Sequence, residues 1–339
     1  MILIRKHTKT AVKAAFVLTL IAVIIYTFRD SAGPILKELG ETKPIVVILI
    51  SILAILYELV EGWITCSFAR RYQPEFTYWM GVESAFYCSF YRVATLGSGA
   101  GVAAVYYFNE KGIPVSKGTG MYMVEYVLHK VTIALFSAVF FVFSFGFMQK
   151  HYAEYEWMLI GGYGITIVIA VALLLFCCSK RVHGLLLWLL DKLNRNGKLN
   201  EQAAMLREQC VILESATAKL LSEKLFVLQI VGKNLLKFVF WYSIPYVVLY
   251  NTGAVTLPQA MAITSLSVML AAVIPTPAGI GSTEFVFTML FAGLVGMGDA
   301  GSATLLYRFA TFVLPFLIGA VIVIVRRIRQ KTRPVDARG

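Results

Sequence analysis

Ionisable side chains stand inside stretches of this sequence that are otherwise apolar. Glu58 and Glu61 lie three apart on one face of a helical run, and Glu83 and Arg92 lie in a second run. Glu125, His129 and Lys130 lie in a third, with Glu125 and His129 one turn apart. Lys233, Asn234 and Lys237 share a fourth, the two lysines on one face, and Arg308 stands in the last. In hydrocarbon such groups are costly, so they face a cavity or a partner. Burying the guanidinium of Arg92 or Arg308 calls for an anion, either an internal glutamate or a phosphate. Plainer readings are open for the others: Lys233 and Lys237 are near enough to the end of their run to snorkel to the interface, and Glu58 and Glu61 can pair with Arg70 or Arg71.

Two apolar stretches are interrupted by residues that suit unwound backbone. The first, 76–110, contains Gly97-Ser-Gly-Ala-Gly101; the second, 258–297, contains Pro275-Thr-Pro-Ala-Gly-Ile-Gly-Ser-Thr-Glu284. Pro275 and Pro277 end an incoming helix, Gly279 and Gly281 permit a tight turn, and Ser282 or Thr283 can cap the helix that follows. A helix N-terminus at membrane depth offers free N–H groups and a positive dipole end to a phosphate or carboxylate. Glu284 fits that dipole, and it can instead pair with a buried arginine. Gly97, Gly99 and Gly101 give similar backbone freedom without a proline, the less specific signal of the two.

The elements that carry these groups follow from composition. Of 339 residues, 58% are hydrophobic and 15% charged, with a mean hydropathy of +0.74. A soluble domain carries about 25% charged residues, so the chain reads as an all-α polytopic membrane helix bundle. Six stretches are long enough to cross a bilayer at roughly 20 residues each: 11–28, 45–68, 120–148, 157–179, 226–250 and 302–325. Each interrupted stretch is long enough for two half-crossing helices. The 31 Lys and Arg against 19 Asp and Glu cluster at the termini and in the 180–224 loop. With both termini cytoplasmic and both interrupted stretches turning back, that basic excess falls on one side, as the positive-inside bias requires. The interrupted stretches are then re-entrant and oppositely oriented, a pattern that points to an inverted repeat with its site near the midplane. The expected organisation is a first half-bundle 1–179, interfacial amphipathic helices 180–224, a second half-bundle 225–325 and a basic tail 326–339.

Several functions are disfavoured. The basic residues flank apolar runs and form no solvated face, against nucleic-acid binding. Cys66, Cys88, Cys177, Cys178 and Cys210 show no paired ligand spacing, and the chain lacks a phosphate loop, a zinc-protease motif and a nucleophile elbow. No cofactor, no metal and no enzymatic activity are expected. The basic residues before the first apolar stretch precede a run too long for a signal peptide, so that span is expected to be retained.

The segment Pro275 to Glu284, with the apolar half-helix after it and a span carrying Arg308, resembles the flippase region of the bacterial lysylphosphatidylglycerol synthases, the multiple peptide resistance factors. Tyr91-Arg92 through Gly101 to Lys111-Gly-Ile-Pro114 looks like the first-half signature of the same family. The sequence departs from it in lacking a proline and an acidic residue in the first break, and in having no aminoacyl-transferase domain after the last span. The resemblance implies lipid translocation without ATP in the bacterial inner membrane, in the family's best-known case of an aminoacylated phosphatidylglycerol, a lipid tied to antimicrobial peptide resistance. Arg92, Arg308, Lys233 and Lys237 would then bind the lipid phosphate. Glu58, Glu61, Glu125 and Glu284 would bind a cationic headgroup or pair with those bases. The alternative is an accessory lipid-binding protein serving a separate lipid-modifying or glycosyl-transfer enzyme; a homo-oligomer is compatible with either.

Overall fold

A computed structural model of the chain describes residues 32–152, 223–274, 276 and 279–332, with residues 180–193 and short pieces elsewhere between 161 and 212. The expected span at 11–28, most of that at 157–179, and most of the amphipathic segment 201–223 lie outside the described residues, as do Pro275 and Pro277.

Among the described residues all regular structure is helical: α1 (Ala32–Glu41), α2 (Pro44–Ala69), α3 (Tyr78–Ala94), α4 (Ala100–Glu110), α5 (Val115–Phe143), α6 (Phe145–Tyr152), α7 (Lys180–Leu193), α8 (Lys224–Tyr242), α9 (Ile244–Leu249), α10 (Leu257–Val273), α11 (Ser282–Arg308) and α12 (Leu314–Thr332). Among the described residues, four stretches have the length and apolarity to cross a membrane: Pro44–Ala69, Val115–Phe143, Lys224–Thr252 and Ser282–Arg329. The 26 residues of α2 span about 39 Å at 1.5 Å per residue, against a hydrocarbon core of about 30 Å. The 180–193 part of the basic loop is the helix α7, whose Leu185 and Trp188 are exposed.

Helix boundaries follow local chemistry. Pro44 starts α2 and Pro114 precedes α5, positions where a missing N–H costs no helical bond. Thr77 caps α3 by accepting from the Met80 N–H. The second interrupted stretch differs from expectation at its far end. Instead of stopping near residue 297, α11 runs through to Arg308 with a single kink at Gly296, whose φ of 82° favours glycine. A π-turn, Phe309–Val313, then leads into α12 just ahead of Pro315, which has no N–H to continue the regular ladder. Residues 32–41, between the expected spans at 11–28 and 45–68, form α1, which lays Ile35 in the interior and contacts α11.

Two apolar cores share the long helices. One gathers Ile50, Ala54 and Tyr57 of α2, Ile133 and Phe136 of α5 and Phe238 and Tyr242 of α8 with α9, α10 and α11. The other gathers Val60 and Ile64 of α2, Val124 and Val127 of α5 and Ile230 of α8 with α3, α4 and α12. Each core holds one interrupted stretch. The helices approach closely where side chains vanish. A Cβ on Gly81 would stand 2.1 Å from the Gly62 carbonyl oxygen, and one on Gly319 would stand 2.2 Å from the Phe86 carbonyl oxygen. Both obstacles are backbone, so α2 or α12 would have to move off α3.

Gly81→Ala and Gly319→Ala are expected to lose about 1–3 kcal/mol of stability by overpacking, read as an earlier unfolding transition in detergent. Gly232→Ala, which meets open space, should shift the transition by less than about 1 kcal/mol.

Candidate functional site

Several of the charged residues singled out from sequence sit at the seam between the two cores. Glu58 is buried and accepts from Ser89 Oγ at 3.0 Å. Glu125 is buried and accepts from Thr65 Oγ1 at 2.8 Å. Lys237, only 1% exposed, donates to Glu61 Oε2 at 2.5 Å and meets His129 Nδ1 at 2.9 Å. That ammonium joins α2, α5 and α8. Arg70 and Arg71 are engaged elsewhere, Arg70 with the Phe76 carbonyl at 2.9 Å and Arg71 with Glu223 and the Phe226 ring. The two glutamates therefore turn inward to the seam.

A cavity of about 320 Å³ opens there, bounded by α2, α3, α4, α5 and α8. Glu61, Arg92, Glu125, His129 and Lys130 bring charge or an imidazole to its wall, and Tyr57, Tyr122, Tyr126 and Trp241 bring aromatic surface. Lys130 was legible as an ionisable residue, but its place beside Arg92 was not. Its Nζ stands 5.4 Å from the Tyr126 ring centroid. Neither Arg92 nor Lys130 has a hydrogen bond or an ion pair with any described residue. Two cations thus reach one cavity while the glutamates beside them are already engaged by Lys237 and Thr65.

The first break forms part of this wall. After α3 the chain turns through Leu96, with a positive φ of 53°, and Gly97, with a φ of 98°. Gly97, Ala100 and Ala104 then face the cavity, so α4 begins at its wall. Thr95 Oγ1 donates to the Tyr91 carbonyl and accepts from the Gly99 N–H, both at 2.6 Å, which fixes the turn. The other side of the same hairpin, with Ser98, Gly99, Val102 and Tyr106, lines a second cavity of about 660 Å³ beside Arg326 and Arg327 of α12. Gly101 has its own constraint: a Cβ there would stand 2.8 Å from the Tyr122 ring.

The second break is satisfied from within. The Gly281 N–H donates to Glu284 Oε2 at 2.8 Å, and Glu284 Oε1 meets Arg308 Nε at 2.7 Å. Gly279 and Gly281 take positive φ of 71° and 83°, and Thr276 and Ser282 share a hydroxyl contact at 2.6 Å. Glu284 thus occupies the N-terminus of α11 and neutralises Arg308, which also stacks over Phe312. No described residue of this break lines the 320 Å³ cavity. Lys233 is also apart from it, donating to Ser67 Oγ at 2.7 Å and lying 4.2 Å above the Trp63 ring. Arg326, read from sequence as part of the basic tail, is clamped by Glu83 and Glu110 and flanked by the rings of Tyr87 and Tyr107.

Residues 11–319 match the family described as the lysylphosphatidylglycerol synthase TM region. The chain belongs to this family. No match is found among curated proteins. Membership agrees with the resemblance seen in the two interrupted stretches, and it makes the long apolar helices those of a membrane region. The seam of charges then lies within a membrane protein of a lipid-related family. In that setting the Glu61–Lys237 pair has little water to fall back on if one partner is removed.

Lys237→Met leaves Glu61 without its cation and is expected to destabilise the fold by about 3 kcal/mol. The Glu61→Gln/Lys237→Met double variant should recover most of that loss, measured by unfolding in the same detergent.

Proposed function

We propose that this chain moves a phospholipid between the leaflets of a bacterial cell membrane without hydrolysing ATP, with both termini cytoplasmic. The observation that carries this reading is the placement of Arg92 and Lys130 in one cavity with no carboxylate partner among the described residues. A phosphodiester supplies the charge they lack, and the guanidinium fork of Arg92 suits its two free oxygens. Membership of a family named for lysylphosphatidylglycerol supports a phospholipid as the substrate class. Glu125, on the same wall, is placed to meet an amine if the headgroup is aminoacylated.

On this reading the roles expected from sequence are redistributed. Arg92 keeps the part of phosphate ligand and is joined by Lys130. Lys237 and Glu61 hold each other, Arg308 and Glu284 hold each other, and Lys233 lies outside the cavity. We further infer that the two interrupted stretches are re-entrant and oppositely oriented. The packing of one in each apolar core supports this reading.

Arg92→Gln and Lys130→Gln are each expected to slow leaflet exchange of labelled phosphatidylglycerol in proteoliposomes by at least about tenfold, or about 1.4 kcal/mol. The exposed Lys37→Gln should leave it unchanged. Folded variants that exchange lipid at the wild-type rate would remove the cavity from the mechanism. Lipid retained by the purified protein without any exchange would instead favour the accessory lipid-binding role.

A further inference from the structure

The cavity of about 660 Å³ on the other side of the first break differs in chemistry from the one that holds Arg92. Its wall brings Tyr87 and Tyr91 from α3, Tyr106 from α4 and Arg327 from α12, with Ser98 at the hairpin tip. The tyrosines are held in place. Arg326 Cζ stands 5.1 Å from the Tyr87 ring centroid and 4.5 Å from that of Tyr107, while Glu83 and Glu110 clamp its guanidinium. Tyr87 and Tyr91 pack with ring centroids 4.9 Å apart and planes tilted by 55°. Aromatic surface fixed in this way meets a ligand without first being ordered, which favours affinity.

Charge and hydrogen-bonding capacity narrow the ligand. The carboxylates of Glu83 and Glu110 and the guanidiniums of Arg326 and Arg327 meet around this space, two of each sign. Arg327 is exposed, so water screens it and no counter-ion is demanded. Its N–H groups make no hydrogen bond or ion pair with any described residue and remain donors. Ser98 Oγ gives its proton to the Thr95 carbonyl at 2.9 Å, which leaves its lone pairs as acceptors. Thr95 itself is occupied by the turn. The cavity lies where α4 ends at Glu110 and Lys111 and where α12 turns to Arg326 and Arg327, the level at which helices leave hydrocarbon and meet lipid headgroups.

We propose that this second cavity binds a neutral polyhydroxylated group, the sugar headgroup of a glycosyl diacylglycerol. Sugar hydroxyls both donate and accept, matching Arg327 on one side of the exchange and Ser98 on the other. The C–H face of a sugar ring is weakly positive and rests on the electron-rich face of an aromatic ring. Tyr106, 56% exposed, is the ring most open to it, and Tyr91 and Tyr87 continue the aromatic surface inward. A phosphate has less to gain here than beside Arg92 and Lys130, since the carboxylates of this cavity already balance its guanidiniums. The site is separate from the one assigned to the phospholipid, and it stands whether or not the chain translocates lipid.

The test uses the full chain purified in lauryldimethylamine oxide, a detergent without a sugar, and titrated in mixed micelles with radiolabelled digalactosyl diacylglycerol, bound lipid being counted on protein-coated scintillation beads. Saturable binding is expected, and an equal amount of unlabelled phosphatidylglycerol should leave it in place. Tyr106→Leu and Arg327→Gln change exposed positions, are checked as monodisperse by size exclusion, and should each weaken binding by about tenfold. Lys37→Gln should bind as the wild type does. Displacement by free galactosylglycerol would support recognition of the sugar alone, and binding that resists it would support recognition of the lipid-anchored headgroup. The proposal is overturned by a lack of saturable binding, by equal displacement with phosphatidylglycerol, or by binding that both variants retain in full. Binding lost in Arg92→Gln but kept in those two variants would place the glycolipid in the other cavity and overturn it as well.

Discussion

Every charge placed among apolar helices needs a counter-charge within reach, and the architecture is organised around that need. Lys237 is the clearest case. Its ammonium is almost completely enclosed, and it is held by a carboxylate on α2 and an imidazole on α5 while its own backbone belongs to α8. Because those three helices run through both apolar cores, the contact fixes their register where the cores meet. Packing of the cores on either side buries the Lys237 end of the pair, while Glu61 reaches the cavity wall, so leaving the lysine alone would strand a buried charge.

The same demand explains which side chains remain available to a ligand. Around Arg308 it is met locally, because Glu284 is both the acid at the start of α11 and the partner of the arginine that ends the same helix. Arg326 is likewise met, by Glu83 and Glu110 from α3 and α4. Arg92 and Lys130 differ because the carboxylates near them are already engaged with Lys237, Thr65 and Ser89. Their availability is a property of the whole constellation. No single residue type or spacing encodes it.

This is also why the sequence disclosed some features and concealed others. The apolar runs and their interruptions were legible, since α2, α5 and α8 rise from long hydrophobic stretches and both breaks carry glycines at positive φ, a local backbone demand. That Glu58 and Glu61 share a face was legible from their spacing. Their partners were not: Lys237 lies 176 residues beyond Glu61, and Arg326 lies 243 residues beyond Glu83. Such separations leave no periodic trace. The continuity of α11 through Gly296 was hidden for the opposite reason, since a glycine-rich run around residues 293–301 reads as a loop until the helices on either side supply packing that a local pattern lacks.

The two breaks invite comparison, and the one that stood out in the sequence is not the one beside the cavity. Prolines and an acid mark the second break because a helix end inside an apolar bundle must satisfy its own N–H groups, and Glu284 does so. A terminus filled in this way has little left to offer an anion. The first break has no such acid, and what distinguishes it is smallness. Gly97, Ala100 and Ala104 face one cavity while Gly99 and Val102 on the other side of the hairpin face the larger one. The absence of large side chains there makes the hairpin a thin wall between two polar-rimmed spaces, with Arg92 on one side and the adjacent Tyr91 on the other. An acidic residue at that tip would neutralise Arg92 as Glu284 neutralises Arg308, so its absence from the first break is what leaves the cavity its cation.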